Sequence, residues 1–122
     1  MIELDYKKDP ELFNKTAEKW AKEIGKGVKN TQIRKFYDKV LELYEKSQKE
    51  DFREILPFVK MLNSKVAYAS QRSSGGKKLV NEAFVKMMNE CINQIDSKEK
   101  LENFKLFFEA VLGFHKSIEG RK

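Results

Sequence analysis

Cys91 and His115 are the only cysteine and the only histidine of this chain, and together they are its one candidate pair for nucleophilic catalysis. That chemistry needs the thiol in contact with an imidazole that can remove its proton. Both residues fall on apolar stripes at helical spacing. We therefore expect Cys91 to pack as a core residue, and His115 to be packed or bonded to a backbone carbonyl near a helix C-terminus.

Sites for metals and cofactors find little support in the sequence. A structural zinc site needs about four Cys or His ligands, and the chain has one Cys and one His. The segment from Ser74 to Lys78 lacks the spacing of a Walker phosphate loop. The acidic residues are scattered among lysines, which is typical of solvated helix faces. The sequence therefore predicts a protein without enzyme activity, metal or cofactor.

The positive charge is concentrated in two intervals. The chain has 25 Lys and Arg against 19 Asp and Glu, a net charge of +6, so a polyanion is a plausible partner. No acidic residue lies between Glu23 and Asp38, or between Glu54 and Glu82. The basic residues of the two intervals are Lys26, Lys29, Arg34, Lys35, Lys60, Lys65, Arg72, Lys77 and Lys78. Attraction to phosphate is expected to be strongest there, because no neighbouring carboxylate in the sequence neutralises it.

Lys65, Tyr68 and Arg72 are separated by three and four residues, which places them on one side of a helix. A guanidinium can hold a phosphate through two hydrogen bonds, which favours Arg72 as a ligand. Tyr68 has two interpretations. In the first, its ring stacks on a base or its hydroxyl bonds a phosphate. In the second, it is a boundary tyrosine with a buried ring and a hydroxyl in water. The sequence leaves both open.

Two segments combine lysines with a predicted helix N-terminus: Lys29 to Gln32, and Gly76 to Lys78. The helix dipole disfavours cations at that end, so these lysines do not serve helix stability. Free backbone N–H groups beside lysines bind anions readily. We predict two phosphate cradles, with ordinary solvent-exposed loop lysines as the alternative.

Apolar residues at helical spacing predict five amphipathic helices. The first helix runs from Asp9 to Ile24, and the second is capped by Asn30 or Thr31 and reaches about Lys49. The third helix carries Pro57 in its first turn and ends near Ser73. The fourth helix runs from Val80 to Ile95, and the fifth follows a capping box of Asp96 and Glu99 towards Gly120. No alternating strand pattern is evident. The prediction is a single all-α domain over residues 1–122, a compact bundle of about five helices, with residues 1–8 as a mobile N-terminal segment.

The composition fits a folded, water-facing protein. Of its 122 residues, 40% are hydrophobic and 36% are charged, enough for one core and a polar surface. Its charge-free runs are far shorter than the roughly 18 apolar residues of a membrane span. The acidic start lacks the pattern of a secretory signal, and one cysteine forms no internal disulfide. We expect a cytoplasmic protein without membrane association.

Three segments together resemble a known family. They are Thr31 to Arg34, Leu62 through Arg72, and Phe108 to Lys116, and the likeness extends over roughly residues 30 to 118. In order and spacing they are similar to the small subunit of type III-A CRISPR interference (Csm) complexes. Gln71 and Phe114 stand where that family pattern has a glycine and a tyrosine.

This resemblance implies a non-enzymatic helical protein that stacks in several copies along a ribonucleoprotein, beside the guide RNA and its paired target. RNA cleavage in that family belongs to a different subunit. The leading hypothesis is a CRISPR effector subunit in antiviral defence that binds guide and target RNA without sequence preference and contacts other Csm subunits. Its candidate RNA-binding residues are Lys29, Gln32, Arg34, Lys35, Lys60, Lys65, Tyr68, Arg72, Lys77 and Lys78.

The rival hypothesis is a protein-binding scaffold in which lysines serve only solubility. Phe36, Tyr37, Phe107 and Phe108 give wide aromatic faces that exceed what one small bundle is expected to bury. A homodimer of the isolated chain is then plausible. A helical transcription regulator would need a recognition helix with base-reading side chains, and none is convincing.

Overall fold

The computed structural model describes residues 1–120, apart from the side chains of Ser74 and Lys77. Within these residues the chain forms five α-helices: α1 (Ala17–Ile24), α2 (Asn30–Ser47), α3 (Phe52–Gln71), α4 (Glu82–Gln94) and α5 (Lys98–Glu119). A π-helical turn (Leu12–Thr16) precedes α1, and a 3₁₀ turn (Gly25–Gly27) follows it. The prediction of an all-α bundle of about five helices is confirmed.

A short antiparallel hairpin lies between α3 and α4, where the sequence predicts no strand. It pairs β1 (Ser73–Ser74) with β2 (Lys77–Lys78). Gly75 and Gly76 form its turn at φ values of 60° and 82°, a region that glycine enters without steric cost. Strands of two residues are too short to show any alternation of apolar and polar side chains.

Side-chain caps set where three of the helices begin. Asp51 accepts a hydrogen bond from the backbone N–H of Arg53, Asn81 from Phe84, and Ser97 from Lys100. The cap of α5 is therefore Ser97, one residue after the predicted Asp96, and with Lys100 three positions later it forms no capping box.

The third helix begins at Phe52, so Pro57 lies inside it rather than in its first turn as predicted. Proline in that position removes one backbone hydrogen bond. Both Pro57 and Arg53, whose carbonyl loses its partner, are exposed. Water can satisfy that carbonyl, which explains why the helix tolerates the proline.

One continuous hydrophobic core joins all five helices. Helix α5 packs against α1, α2 and α4, while α3 packs against α2 and α4. Phe108 lies at the centre of the aromatic packing, with its ring centroid 5.7 Å from those of Tyr37 and Phe104 and 6.3 Å from that of Phe84. These rings fix α2 and α4 on α5 and so set the frame on which α3 rests.

The N-terminal segment is packed rather than free of the bundle. Ile2 and Leu4 are buried in the core. The side-chain amide of Gln94 donates to the Ile2 carbonyl at 2.7 Å and accepts from the Leu4 N–H at 3.1 Å. Asn103 Nδ2 donates to the Leu4 carbonyl at 3.3 Å. This arrangement differs from the mobile segment expected for residues 1–8, because two alternate apolar side chains anchor it.

Gly27 is required by a close approach to the cap of α4. A Cβ added there would lie 2.7 Å from Asn81 Nδ2, which donates to the Ile24 carbonyl at 2.9 Å. We expect Gly27→Ala to lower the free energy of unfolding by about 1–2 kcal/mol, because the capping side chain must move. Urea unfolding measures this.

Gly113 is the matched control, because it lies exposed within α5 and a Cβ there would meet no atom within 4 Å. We expect Gly113→Ala to raise stability by about 0.5–1 kcal/mol through the lower backbone entropy of the unfolded chain. Equal effects of the two substitutions would contradict the packing described for Gly27.

Candidate nucleic-acid interface

Helices α2 and α3 lie antiparallel and leave a groove between them where several predicted site residues meet. We call this the α2–α3 basic groove, a cavity of about 400 Å³. Its polar walls are Gln32, Lys35 and Lys39 from α2, Lys65 and Tyr68 from α3, and Arg72, the residue that directly follows α3. On each helix these residues are three or four positions apart, so each set faces one way. Phe36, Ala69 and Leu79 complete the lining.

The charge of this groove is positive and only weakly compensated. Within the described residues, no carboxylate oxygen lies within 4.0 Å of the charged nitrogens of Lys35, Lys65 or Arg72. Lys39 forms a long, exposed ion pair with Glu42 at 3.9 Å. Such surface pairs contribute little energy, so Lys39 still adds to the local potential. The groove therefore favours anions.

Tyr68 and Arg72 form a pair one helical turn apart. The Arg72 guanidinium carbon lies 5.6 Å from the centroid of the Tyr68 ring, a cation–π arrangement. Tyr68 is 66% exposed. The alternative of a boundary tyrosine with a buried ring is therefore wrong, and the ring surface is accessible to a ligand.

Lys60 lies outside the groove. Its Nζ donates to the backbone carbonyl of Ile92 at 2.8 Å, near the C-terminal end of α4, where a cation is favourable. This ammonium joins α3 to α4 and is already engaged. The five-residue offset between Lys60 and Lys65 is the sequence feature that places them on different sides of α3.

The remaining predicted lysines and Arg34 also lie apart from the groove. Lys78 lines a different cavity, between α3 and α4. Lys29 and Arg34 are exposed near the start of α2 but do not line the groove. The side chain of Lys77 lies outside the described residues. The structure thus brings together Gln32, Lys35, Lys65, Tyr68 and Arg72 from the predicted set.

Neither predicted phosphate cradle is a free helix N-terminus. At the start of α2, Glu119 Oε2 accepts a hydrogen bond from the Asn30 N–H at 2.7 Å, so a carboxylate already occupies that end. Asn30 is the first helical residue rather than the cap, and its side chain is buried. Residues 76–78 form the turn and second strand of the hairpin, several residues before α4 begins. The helix N-termini assumed for the two cradles are therefore not free, and phosphate binding by Lys29 and Lys78 stays a prediction.

Lys39 is a groove residue that the sequence analysis missed. It follows Lys35 by four positions and Gln32 by seven, the spacing of one helix face. The criterion of acid-free intervals excluded it because Asp38 precedes it in the chain. Asp38 is adjacent in sequence, yet it points to a different side of the helix, so facial spacing would have found Lys39.

Cys91 and His115 serve packing, as expected. Cys91 is fully buried, and burial raises the pKa of its thiol well above the usual value. His115 Nε2 lies 2.6 Å from the Gly25 carbonyl oxygen and Nδ1 lies 3.1 Å from Asn30 Nδ2. Nε2 therefore donates to the carbonyl and Nδ1 accepts from the amide, which engages both ring nitrogens.

A second groove continues along the same two helices and is mainly apolar at its base. We call it the α2–α3 apolar groove, a cavity of about 380 Å³ whose apolar lining is Leu43, Ile55, Phe58, Met61 and Leu62. Phe58 is 54% exposed and Met61 is 46% exposed, although both are large and apolar. Its charged lining is mixed, with Glu42, Glu50 and Glu54 beside Lys39, Lys46 and Lys65. Lys39 and Lys65 also line the basic groove, so the two grooves meet at these lysines.

No described helix is both long enough and apolar enough to cross a membrane. Among known families, the model described as Csm2 Type III-A matches residues 7–121 of the chain. Comparison with curated proteins and with solved structures gives no significant match.

Proposed function

The chain belongs to the Csm2 type III-A family, the small subunit of the CRISPR Csm complex, and we propose that it binds the backbones of guide and target RNA without catalysing a reaction. Family membership implies association with the other Csm subunits. The RNA contact is the further step, and it rests on the α2–α3 basic groove. The function we propose is thus to hold RNA within an antiviral effector complex.

The observation that carries this proposal is the grouping of Lys35, Lys65 and Arg72 without a carboxylate partner in the described part of the chain. In the sequence these residues belong to two separate acid-free intervals. The fold places them across one groove. Several cations at one site, with no carboxylate to neutralise their charge, attract the phosphates of a nucleic-acid backbone.

Lack of sequence preference follows from the chemistry of the groove. Lysine ammonium groups are flexible point charges that reach phosphates without reading base edges. In RNA-guided complexes base pairing supplies the sequence information, so a protein subunit need recognise only backbone and shape. A non-catalytic role is supported by Cys91 and His115, whose thiol and ring nitrogens are committed to the core.

The salt dependence of RNA binding tests this proposal. We expect the logarithm of the association constant to fall linearly with the logarithm of salt concentration, by about 0.7 to 0.9 per neutralised phosphate. Fluorescence anisotropy with a labelled RNA of guide length measures the slope. Co-purification from the native host should recover a guide-length RNA and other Csm subunits. RNA binding that is indifferent to salt would eliminate the phosphate mechanism.

The second candidate function is a protein–protein interface, but the aromatic faces do not provide it. The aromatic faces thought too wide for one bundle are buried, since Phe107 and Phe108 are 0% exposed and Phe36 and Tyr37 are 8% and 9% exposed. The specific observation that favours an interface is instead the exposure of Phe58 and Met61 in the α2–α3 apolar groove. Large apolar side chains exposed together are typical of contact surfaces.

Light scattering tests whether this groove pairs two copies of the chain. If it does, the mass of the isolated protein rises with concentration, and Phe58→Glu keeps it monomeric by placing a charge in the contact. Tyr6→Glu is the control, because Tyr6 is 48% exposed but lies outside the groove. A monomer at every concentration would refute the homodimer.

A further inference from the structure

The α2–α3 basic groove contains an aromatic ring that phosphate binding does not require. Tyr68 stands between Lys65 and Arg72 on the exposed side of α3, and it is 66% exposed with Arg72 in place over the ring. The accessible ring surface therefore remains after the cation–π contact is made. An aromatic ring flanked by cations is the combination with which proteins hold unpaired nucleotides.

We propose that this groove binds an unpaired nucleotide of an RNA strand, with its base stacked on Tyr68 and its flanking phosphates on Lys65 and Arg72. This inference rests on the proposed function and specifies the form of RNA that the groove takes. A base within an A-form duplex is stacked between its neighbours and offers no free face. The groove therefore binds single-stranded RNA more tightly than duplex RNA, which contacts only its cations.

The opposite wall of the groove is suited to such a ligand. Gln32 is half-buried there, and its side-chain amide offers both a donor and an acceptor. Base edges present donors and acceptors together, whereas a phosphate accepts only, and an amide that carries both groups can bond any base without selecting a sequence. Lys35, on the same wall, supplies a further cation for the backbone.

The size of the groove agrees with one nucleotide rather than an extended surface. Its volume of about 400 Å³ falls within the usual range for small-ligand pockets. Part of its lining is apolar, and a base packed against that part would be shielded from water; the residues are Phe36, Ala69 and Leu79. A cavity of this kind has both the apolar surface and the charge that a nucleotide needs.

Two substitutions at one position separate stacking from hydrogen bonding. Tyr68→Leu removes the ring, whereas Tyr68→Phe keeps the ring and removes only the hydroxyl. Stacking of one base contributes about 1–3 kcal/mol, so we expect Tyr68→Leu to weaken single-stranded RNA binding about 5- to 150-fold. Tyr68→Phe should bind like the unmodified protein.

Duplex RNA of the same sequence is the internal control for folding and for general charge. We expect all three proteins to bind this duplex equally, since Tyr68 does not reach a paired base. Equal losses on single-stranded and duplex RNA, unchanged binding by Tyr68→Leu, or a loss in Tyr68→Phe as large as in Tyr68→Leu would each overturn the stacking proposal. Tighter binding of single-stranded DNA than of RNA would overturn the assignment to RNA.

The same measurements give a different result if the proposed function itself, RNA binding, is wrong. If the unmodified protein binds neither single-stranded nor duplex RNA in a salt-dependent way, then the proposed function itself is wrong. If both forms bind and the Tyr68 variants behave alike, only the stacking proposal is lost.

Discussion

Replacing Lys35, Lys65 and Arg72 together with glutamine is expected to weaken RNA binding on the order of 100-fold at 0.15 M salt. Each residue loses its charge in the α2–α3 basic groove, while a shorter polar side chain remains. Three lost phosphate contacts should also reduce the salt slope by about 2 to 3. Fluorescence anisotropy across a salt series gives both quantities. An unchanged slope would show that these residues do not contact phosphates.

The control for this triple variant removes the same charge elsewhere. Lys15, Lys19 and Lys98 are exposed and do not line the groove. Replacing all three with glutamine changes the net charge from +6 to +3, as the groove variant does. We expect less than about a threefold loss of affinity, because screening limits the effect of distant charges. Equal losses in both variants would mean that overall charge, and not the groove, attracts RNA.

Phe108→Ala is expected to lower the free energy of unfolding by about 3–5 kcal/mol. The side chain is 0% exposed and contacts the rings of Tyr37, Phe84 and Phe104. Its removal leaves a cavity where α2, α4 and α5 meet, and a rigid core cannot collapse around it completely. Urea unfolding followed by circular dichroism measures the change.

Phe58→Ala makes the same chemical change at an exposed position of α3. Because Phe58 is 54% exposed, about half of its surface stays in water after folding, and we expect a smaller loss of about 1 kcal/mol. Comparable losses in both variants would contradict the burial assigned to Phe108. Of these two phenylalanines only Phe58 lies in the α2–α3 apolar groove, so an effect on self-association is expected for the Phe58 variant alone.

Local periodicity was sufficient to predict the helices and some of their faces. Apolar spacing found all five helices because each buries one stripe against the same core. The spacing of Lys65 and Tyr68 correctly placed them on one side of α3, and Arg72, just past the helix, lines the same groove. These results depend only on residues within one or two helical turns of each other.

The contacts between helices were not predictable in the same way. The short link between the second and third helices favours antiparallel packing, but it does not show that Gln32 and Lys35 face Lys65 across a groove. Glu119 reaches the start of α2 from 89 positions away in the chain, and it occupies the end that was predicted to bind phosphate. Long-range packing of this kind decides which cations remain free.

The N-terminal segment illustrates the same limit. Ile2 and Leu4 are single apolar residues in a short polar stretch and show no helical period. Their burial depends on Gln94 and Asn103, whose amides pair with the backbone of residues 2–4. An extended segment held by side chains of distant helices leaves no periodic pattern in its own sequence.

Crosslinking of RNA to the full chain tests the central claim most directly. Single-stranded RNA substituted with 4-thiouridine would be irradiated with the protein, and the modified peptides identified by mass spectrometry. We predict adducts within residues 32–39 and 65–72, the two walls of the α2–α3 basic groove. Adducts confined to α1, α4 or α5, with none on either wall, would contradict the assignment of this groove to RNA.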